Sequence, residues 1–376
     1  MEFKNTVRPA FLPNLNTIYL SIPFVLYLYK KTKELKKPLI FLIVMLPLLT
    51  LGQLGGDYVY NFLSVPLSPR AAALGGSAIA INDGDISLAN DNPSLLNAQT
   101  DGKIALEYNK YISDIHLGYV SYAKHYQNLG TFSVGLQYLN GGEFTEADEN
   151  GYTYGTFGVS ELALNLSYAK QFDSSLVIGA TLKPVYSHFY NYNSLGLVMD
   201  VGASYTLNNG LFTAAVLFKN MGAQITKYYD ETGPVPFDIQ VGIATKLAHA
   251  PFRFSIVAHH LNKPDLSYQY YNQSDITNIE PTPEEVQNTA FFEHLLNHMI
   301  FGVEFTPTKS FFLRAGYNYL RRQELKLDNR PGMIGFSWGF GLRIAKMHLS
   351  YANVRYHFAG TSNQFALTTN LNDFFK

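Results

Sequence analysis

Side chains of alternating polarity run through most of this chain in segments of about ten residues, and this alternation limits the possible folds more than any other feature. In the segment ELALNLSYAK, one face of an extended strand is apolar and carries Leu162, Leu164, Leu166 and Tyr168. At about 3.4 Å per residue and a tilt of roughly 40°, ten residues cover about 25 Å, the height of the apolar band of a membrane barrel. A strand of a soluble protein is about half as long.

The same alternation predicts about fourteen strands. They begin near Lys103, Ile115, Thr131, Glu161, Ser175, Leu195, Leu211, Phe237, Phe252, Met299, Phe311, Met333, Lys346 and Asn363. An even number allows an antiparallel meander to close with both termini on one side. We therefore predict an all-β membrane protein in which residues 102–376 form a fourteen-stranded antiparallel transmembrane β-barrel. We expect it to be integral to the outer membrane, with both termini in the periplasm.

The composition agrees with this class and excludes several chemistries. The chain is 47% hydrophobic and 15% charged, and the mean hydropathy of −0.04 hides the alternation. It has no cysteine, which excludes a structural disulfide, a thiolate nucleophile and a Cys-ligated metal. Beyond the first fifty residues no apolar run reaches about 18 residues, so a helical membrane protein is not predicted.

Residues 1–52 are predicted to contain a signal peptide. A basic run at residues 30–37 precedes an apolar run at residues 38–51, and Thr50 and Gly52 supply small residues before a cleavage site at Gln53. Residues 1–29 are unusual in such a signal, and we interpret them as an extension upstream of the true translation start. An anchor built from residues 19–29 is the alternative. Residues 1–52 carry seven Lys/Arg and two Asp/Glu, so their removal changes the net charge from −1 to −6, which gives no basic footprint for nucleic acid.

Residues 53–101 lack the alternation and are predicted to form a separate plug segment. A short helix is expected over residues 70–74, broken by Gly75 and Gly76, and turns are expected at Asp83 and at Asn92-Pro93. The run PRAAALGG, the acidic turn after it and the N-P-x-x-L that follows resemble the N-terminal signature of the FadL/PorV superfamily of outer-membrane barrels. Members of that superfamily fold this segment inside a fourteen-stranded barrel. The motif residues are Arg70, Gly75, Gly76, Asp83, Asn92 and Pro93, and we predict for them a structural role, in which they shape the plug and bind nothing.

The run GGDYVYNFL, residues 55–63, is more similar to the PorQ family of the type IX secretion system. That resemblance implies a non-enzymatic outer-membrane component that anchors a PorZ-like surface protein, in an attachment complex with PorU-like and PorV-like proteins. The covalent step of that system belongs to a cysteine sortase, and a chain without cysteine cannot perform it. A FadL-like transporter of hydrophobic small molecules is the alternative function, and an outer-membrane hydrolase is a third.

The predicted connections alternate in length. Short ones fall on the periplasmic side, whereas long ones at residues 140–160, 220–236 and 259–298 fall outside, as in outer-membrane barrels. The longest is rich in aromatic residues, which indicates either a docking surface for another protein or a lid over the barrel mouth. The candidate docking residues are Tyr268, Tyr270, Tyr271, Phe291 and Phe292.

Motifs that carry chemistry are weak in this sequence, and we predict no catalytic residues, no cofactor and no metal site. Gly335, Ser337 and Gly339 match G-x-S-x-G, but the match lies in an alternating strand instead of a strand-to-helix turn. His294 and His298 are four residues apart without the glutamate of a zinc-protease motif. The spacing of Asp83, Asp85 and Asp91 does not fit an EF-hand, and nothing in the spacing of His259-His260 supports an enzyme at the rim.

Overall fold

The protein is a closed antiparallel β-barrel of fourteen strands, seen in a computed structural model that describes residues 58–207, 210–229, 232–263, 266, 292–325, 332–357 and 360–374. Consecutive strands pair, and the first pairs with the last. The strands are β1 (Lys103–Lys110), β2 (His116–Tyr126), β3 (Gly130–Ala147), β4 (Thr153–Gln171), β5 (Leu176–Phe189), β6 (Tyr192–Leu207), β7 (Phe212–Thr226), β8 (Asp238–Lys246), β9 (Phe252–Ala258), β10 (Met299–Thr308), β11 (Phe311–Asn318), β12 (Phe336–Ile344), β13 (Met347–His357) and β14 (Gly360–Asn370). The predicted fold class is confirmed.

Helical elements are short. α1 (Pro69–Ala73) precedes the strands, and α2 (Tyr319–Leu325) lies in the connection between β11 and β12. The 3-10 helices are Asn61–Ser64, Ile86–Leu88, Pro93–Leu95, Ala98–Thr100 and Leu371–Asp373. Where the chain is described, no helix is long and apolar enough to cross a bilayer. The predicted signal peptide over residues 1–52 lies outside the described residues.

The period-two pattern of the sequence is reproduced as an inner and an outer face. On β4, Ala163 and Asn165 are buried toward the lumen, whereas Leu164 and Leu166 are exposed on the outside. The outward faces of the other strands carry the same kind of residue, for example Leu106, Val134, Leu182, Leu197, Val241, Phe254, Leu313, Trp338, Leu349 and Phe365. Such an apolar surface around a closed sheet, in which every strand edge is paired, is the surface of an integral outer-membrane barrel.

The hairpin of β3 and β4 is longer than the sequence predicts. Residues 140–160 were expected to form an outward loop, but Glu143–Ala147 pair with residues 153–158 after a shift of register at Asn140. From Asn140 to Ala147 the hairpin extends about 24 Å along the strand. The prediction of a loop is wrong because this part of the hairpin lies beyond the apolar outer surface, where neither face needs to be apolar.

Candidate functional site in the barrel lumen

The lumen is occupied by the chain's own residues 58–101, which we call the inner segment. Most of its side chains are buried, including those of Phe62, Leu74, Ile79 and Leu88. Ser68 caps α1 by accepting a hydrogen bond from the Arg70 amide, and Pro69 occupies the first turn, where a missing N–H costs nothing. The inner segment therefore consists of short capped turns that pack against the wall.

Arg70 lies at the centre of a largely buried group of charges that we call the ionic cluster, in which the side chain of Asp83 is the most exposed, at 30%. The cluster consists of Arg70, Asp83 and Asp85 of the inner segment and Arg253, Glu304 and Arg314 of the wall. Arg70 donates to Asp83 at 2.7 and 3.0 Å, to Asp85 at 3.0 Å and to Glu304 at 2.9 and 3.0 Å. Its side chain is 5% exposed. The three arginines and three carboxylates balance, so the cluster has no net formal charge. Its wall residues belong to β9, β10 and β11, and the cluster therefore joins the inner segment to these three strands.

The electrostatics of the ionic cluster keep its segment carboxylates ionised. Burial by itself would raise the pKa of Asp83, but the guanidinium groups of Arg70 and Arg253 outweigh it and hold the pKa below its ordinary value. The pKa of Asp85 is also lowered, because Arg70 again outweighs the burial. Both residues therefore carry their charge at neutral pH and retain their ion pairs with Arg70.

Glycines of the wall make room for the inner segment. A Cβ atom on Gly316 would lie 2.1 Å from the amide nitrogen of Gly75, and one on Gly202 would lie 2.1 Å from Oδ1 of Asn92. Further wall glycines at which a Cβ would come within 3 Å of the segment are Gly179, Gly196, Gly242 and Gly339. Because any larger residue at these positions would overlap the segment, wall and segment are complementary in shape.

The other sequence-predicted motif residues also lie in the inner segment, and their contacts are structural. Gly75 and Gly76 have φ of +102° and +113°, which disfavours residues with a side chain. Asn92 caps the 3-10 helix that begins at Pro93, and its Nδ2 donates to the carbonyl of Ile79 at 2.8 Å. These contacts shape the segment.

Asp91 is a further buried acid of the inner segment and lies outside the ionic cluster. It is 3% exposed, and its Oδ2 accepts no hydrogen bond from the residues that the structure describes. Burial raises its pKa to about 6, although the charges of Lys219 and Lys183 act in the opposite direction. Lys183 itself pairs with Asp200 at 2.5 Å in the lumen. Sequence reasoning placed Asp91 only in a loose calcium motif and missed this environment.

The inner segment lines a cavity toward each mouth of the barrel. At the end with the short turns, a charged cavity of about 1050 Å³ is bounded by the ionic cluster and by Lys103, Arg343 and Lys346. At the opposite end, a more apolar cavity of about 610 Å³ is bounded by residues that include Phe62, Leu139, Val159, Phe189 and Leu320. We call the second one the outer cavity.

Aromatic side chains continue above the outer cavity across the tips of two hairpins, β3–β4 and β5–β6. Phe157 of β4 contacts Phe144 at 5.5 Å and Tyr190 at 5.2 Å between ring centroids. At the tip of the β3–β4 hairpin, Tyr152 and Tyr154 are 69% and 68% exposed. The tip is ordered by Asp148, which accepts hydrogen bonds from the Tyr152 amide and the Tyr154 hydroxyl, both at 2.9 Å. Sequence reasoning missed this surface because it treated residues 140–160 as a loop.

The predicted docking residues fall mostly outside the described part of the chain. Tyr268, Tyr270, Tyr271 and Phe291 lie there, and Phe292 is 63% exposed next to it. Ser337, the serine of the G-x-S-x-G match, lies inside β12 and donates to the carbonyl of Ala73 at 3.0 Å, so its hydroxyl holds the inner segment.

Comparison with solved structures returns barrels of low sequence identity. The "TodX monoaromatic hydrocarbon channel deltaS2 mutant" matches with a TM-score of 0.49 and 13% identity over 81% of this chain and 98% of that chain. The Pseudomonas putida toluene transporter TodX matches with a TM-score of 0.48 and 12% identity over 81% of this chain and 97% of that chain. A Pseudomonas aeruginosa FadL homologue matches with a TM-score of 0.45 and 10% identity over 81% of this chain and 98% of that chain.

Comparison by sequence gives a family assignment. No curated protein matches the sequence. A family model described as an uncharacterised protein family, UPF0164, matches residues 52–260, which is more than half of the chain. The protein is therefore a member of the UPF0164 family.

Proposed function

We propose that this protein is a non-enzymatic anchor in the outer membrane that holds a PorZ-like partner at the cell surface, as a PorQ-like component of a type IX secretion system. The observation that carries the proposal is the protruding β3–β4 hairpin with its exposed tyrosines. Large aromatic side chains on a rigid, exposed element are the residues that dominate protein interfaces. The wall below supplies a fixed base in the membrane.

The filled lumen supports the same proposal. A passive channel needs an open path, whereas this barrel contains a segment held by the ionic cluster and by wall glycines that fit it closely. Removing such a segment would break the ion pairs Arg70–Glu304 and Asp83–Arg253, and a buried charge is expensive to leave without a partner. A barrel of this kind serves better as a rigid support than as a pore.

The test is co-purification from the native outer membrane. Protein extracted in mild detergent is expected to retain a PorZ-like partner, together with PorU-like and PorV-like proteins. The double variant Tyr152→Ala/Tyr154→Ala should lose most of the PorZ-like partner. Phe172→Ala is the matched control, because Phe172 is an aromatic residue that is 63% exposed at the opposite end of the barrel. Absence of these partners from the unmodified protein, or equal recovery with all variants, would contradict the proposal.

The outer cavity favours a second candidate function, the transport of hydrophobic small molecules. Its volume of about 610 Å³ lies in the range of small-molecule sites, and most of its accessible wall is apolar, although charged residues such as Glu161 and Arg321 also line it. The probe is radiolabelled toluene, equilibrated with the purified barrel in detergent. Val159→Trp, which fills part of the cavity, should abolish binding that depends on this cavity, whereas Val134→Trp on the outer face should not. Binding that is the same in both variants would reject this candidate.

A further inference from the structure

Three side chains of metal-binding type meet at the outer mouth of the barrel. Asp238 is the first residue of β8, and His259 and His260 directly follow β9. One ligand atom from each residue lies within 4.8 Å of the other two. The three residues also line the outer cavity, so the site is accessible from it.

The backbone brings the two histidines together. Neighbouring residues of a strand normally point to opposite faces. His260 instead has φ of +55°, in the left-handed region, and the two imidazole rings lie 4.6 Å apart between centroids at an angle of 73°. Their Nδ1 atoms face each other in a close contact. Two such nitrogens can share one proton, or both can offer a lone pair to one metal ion.

The carboxylate of Asp238 is held beside the histidines. Its Oδ1 accepts a hydrogen bond from the backbone amide of His260 at 2.5 Å, and its Oδ2 accepts one from Nε2 of Gln240 at 2.6 Å. Hydrogen bonds from neighbouring groups that do not themselves bind the metal orient metal-binding carboxylates in this way. His259 is 4% exposed, and its Nε2 has no hydrogen-bond partner within the described residues. This Nε2 points away from the position that the two Nδ1 atoms share, so a metal ion there would not be its partner, and a buried water is the expected one.

We propose that Asp238, His259 and His260 bind one zinc ion, with a fourth position open to the outer cavity. Two imidazoles and one carboxylate form a typical donor set for a zinc site with three protein ligands. In a tetrahedron with zinc–ligand distances of about 2.1 Å, neighbouring ligand atoms lie about 3.4 Å apart. The present ligand atoms lie within 4.8 Å of one another, and zinc binding would move the two Nδ1 atoms, which are closer than the tetrahedral separation, apart.

The same donors disfavour calcium and magnesium. Those ions take six or more oxygen ligands, often from several carboxylates and carbonyls, whereas this group supplies one carboxylate. Lys219 and Lys263 are close enough to His260 to act on it electrostatically, so binding by charge alone is unfavourable. Donation by imidazole nitrogen therefore selects the metal. The inference does not depend on the proposed anchor function.

The test measures zinc binding by the full-length protein in detergent, without a histidine tag and after treatment with EDTA. Titration calorimetry and metal analysis after dialysis are expected to give one zinc per chain. His260→Gln should weaken binding at least about tenfold, and Gln240→Ala, which removes an outer contact, should weaken it by about tenfold to a hundredfold. His188→Gln, at a histidine of β5 outside the site, should leave it unchanged.

Controls separate a binding defect from a folding defect. Each variant is first checked for the heat-modifiable mobility of a folded barrel, and Asp238→Asn provides a second loss of a ligand if His260→Gln does not fold. Calcium and magnesium at the same concentrations should give no heat of binding at this site. A stoichiometry of zero, or zinc affinity that is the same in His260→Gln and His188→Gln, would overturn the proposal and leave the histidines as a hydrogen-bonded pair.

Discussion

Replacing Arg70 with methionine tests whether the ionic cluster holds the inner segment in the barrel. Methionine retains part of the volume but removes five hydrogen bonds to Asp83, Asp85 and Glu304. Asp83 and Glu304 still pair with Arg253, whereas Asp85 loses its ion pair. A buried charge left without its partner costs about 3–5 kcal/mol, which is roughly a hundredfold to several thousandfold in the unfolding equilibrium.

The loss is measured by guanidinium unfolding of the purified barrel in detergent. Trp338 is the single tryptophan of the chain and lies on the outer face of β12, 49% exposed, so its fluorescence reports the unfolding of the wall. Arg253→Met is the matched control, because it removes the same charge but leaves Asp83 and Glu304 paired with Arg70. We expect it to cost about 1.5–3 kcal/mol, as the loss of hydrogen bonds to charged groups does, and less than Arg70→Met, because it leaves no carboxylate without an ion pair.

A double variant tests the stated cause. If Arg70→Met destabilises the protein because it leaves the Asp85 carboxylate without its ion pair, then Arg70→Met/Asp85→Asn should recover at least about 1 kcal/mol of the lost free energy of unfolding. The reasoning is refuted if Arg70→Met costs no more than Arg253→Met, or if the double variant is less stable than Arg70→Met alone.

Three further predictions follow from the same structure. Gly316→Ala should cost about 1–3 kcal/mol, because its Cβ would overlap the inner segment, whereas Gly118→Ala, with nothing within 4 Å of its Cβ, should cost nothing in the same unfolding assay. The folded pKa of Asp91 lies above its ordinary 3.8, so its contribution favours folding below about pH 4 and is lost as the pH rises through 6. Asp91→Asn should therefore raise the free energy of unfolding by about 3 kcal/mol at pH 8 but not at pH 4. If the free energy of unfolding of the variant and of the unmodified protein changed with pH in the same way, this prediction would be contradicted. The chain has no cysteine of its own, so a single introduced cysteine can report which end of the barrel faces the outside. Asn150→Cys, at the tip of the β3–β4 hairpin, should react with an impermeant maleimide on intact cells, whereas Lys309→Cys, in the turn between β10 and β11, should not. The opposite result would mean that the barrel has the reverse orientation.

The barrel was predictable from the sequence because lipid and lumen impose opposite requirements on neighbouring residues. All fourteen predicted starts fall close to observed strands, and the largest displacement is at β4, which begins at Thr153 instead of Glu161. That error has a physical cause, since the alternation disappears where the hairpin leaves the membrane. Hydrogen bonding of the backbone continues there without any signal from side-chain polarity.

The candidate sites were predictable only in part. Arg70 and Asp83 were recognised as motif residues, but Glu304 is 234 positions from Arg70 in the chain, and no local pattern indicates that they meet. The pair His259-His260 was visible in the sequence, whereas Asp238, which joins it across two neighbouring strands, was not. The wall glycines appear in the sequence only as small residues on one face of a strand, and their meaning requires the position of the inner segment.

The pairing of β1 with β14 constrains how the barrel can assemble. The cylinder cannot be sealed until the C-terminal strand has been made, because β14 is the last strand and its partner β1 directly follows the inner segment. Once the seam has formed, the close fit between glycines and segment leaves no space for a folded segment to enter from either end. Residues 58–101 therefore have to reach the lumen either before the seam forms or as an unfolded chain that passes through one mouth, and they take their final shape against the wall.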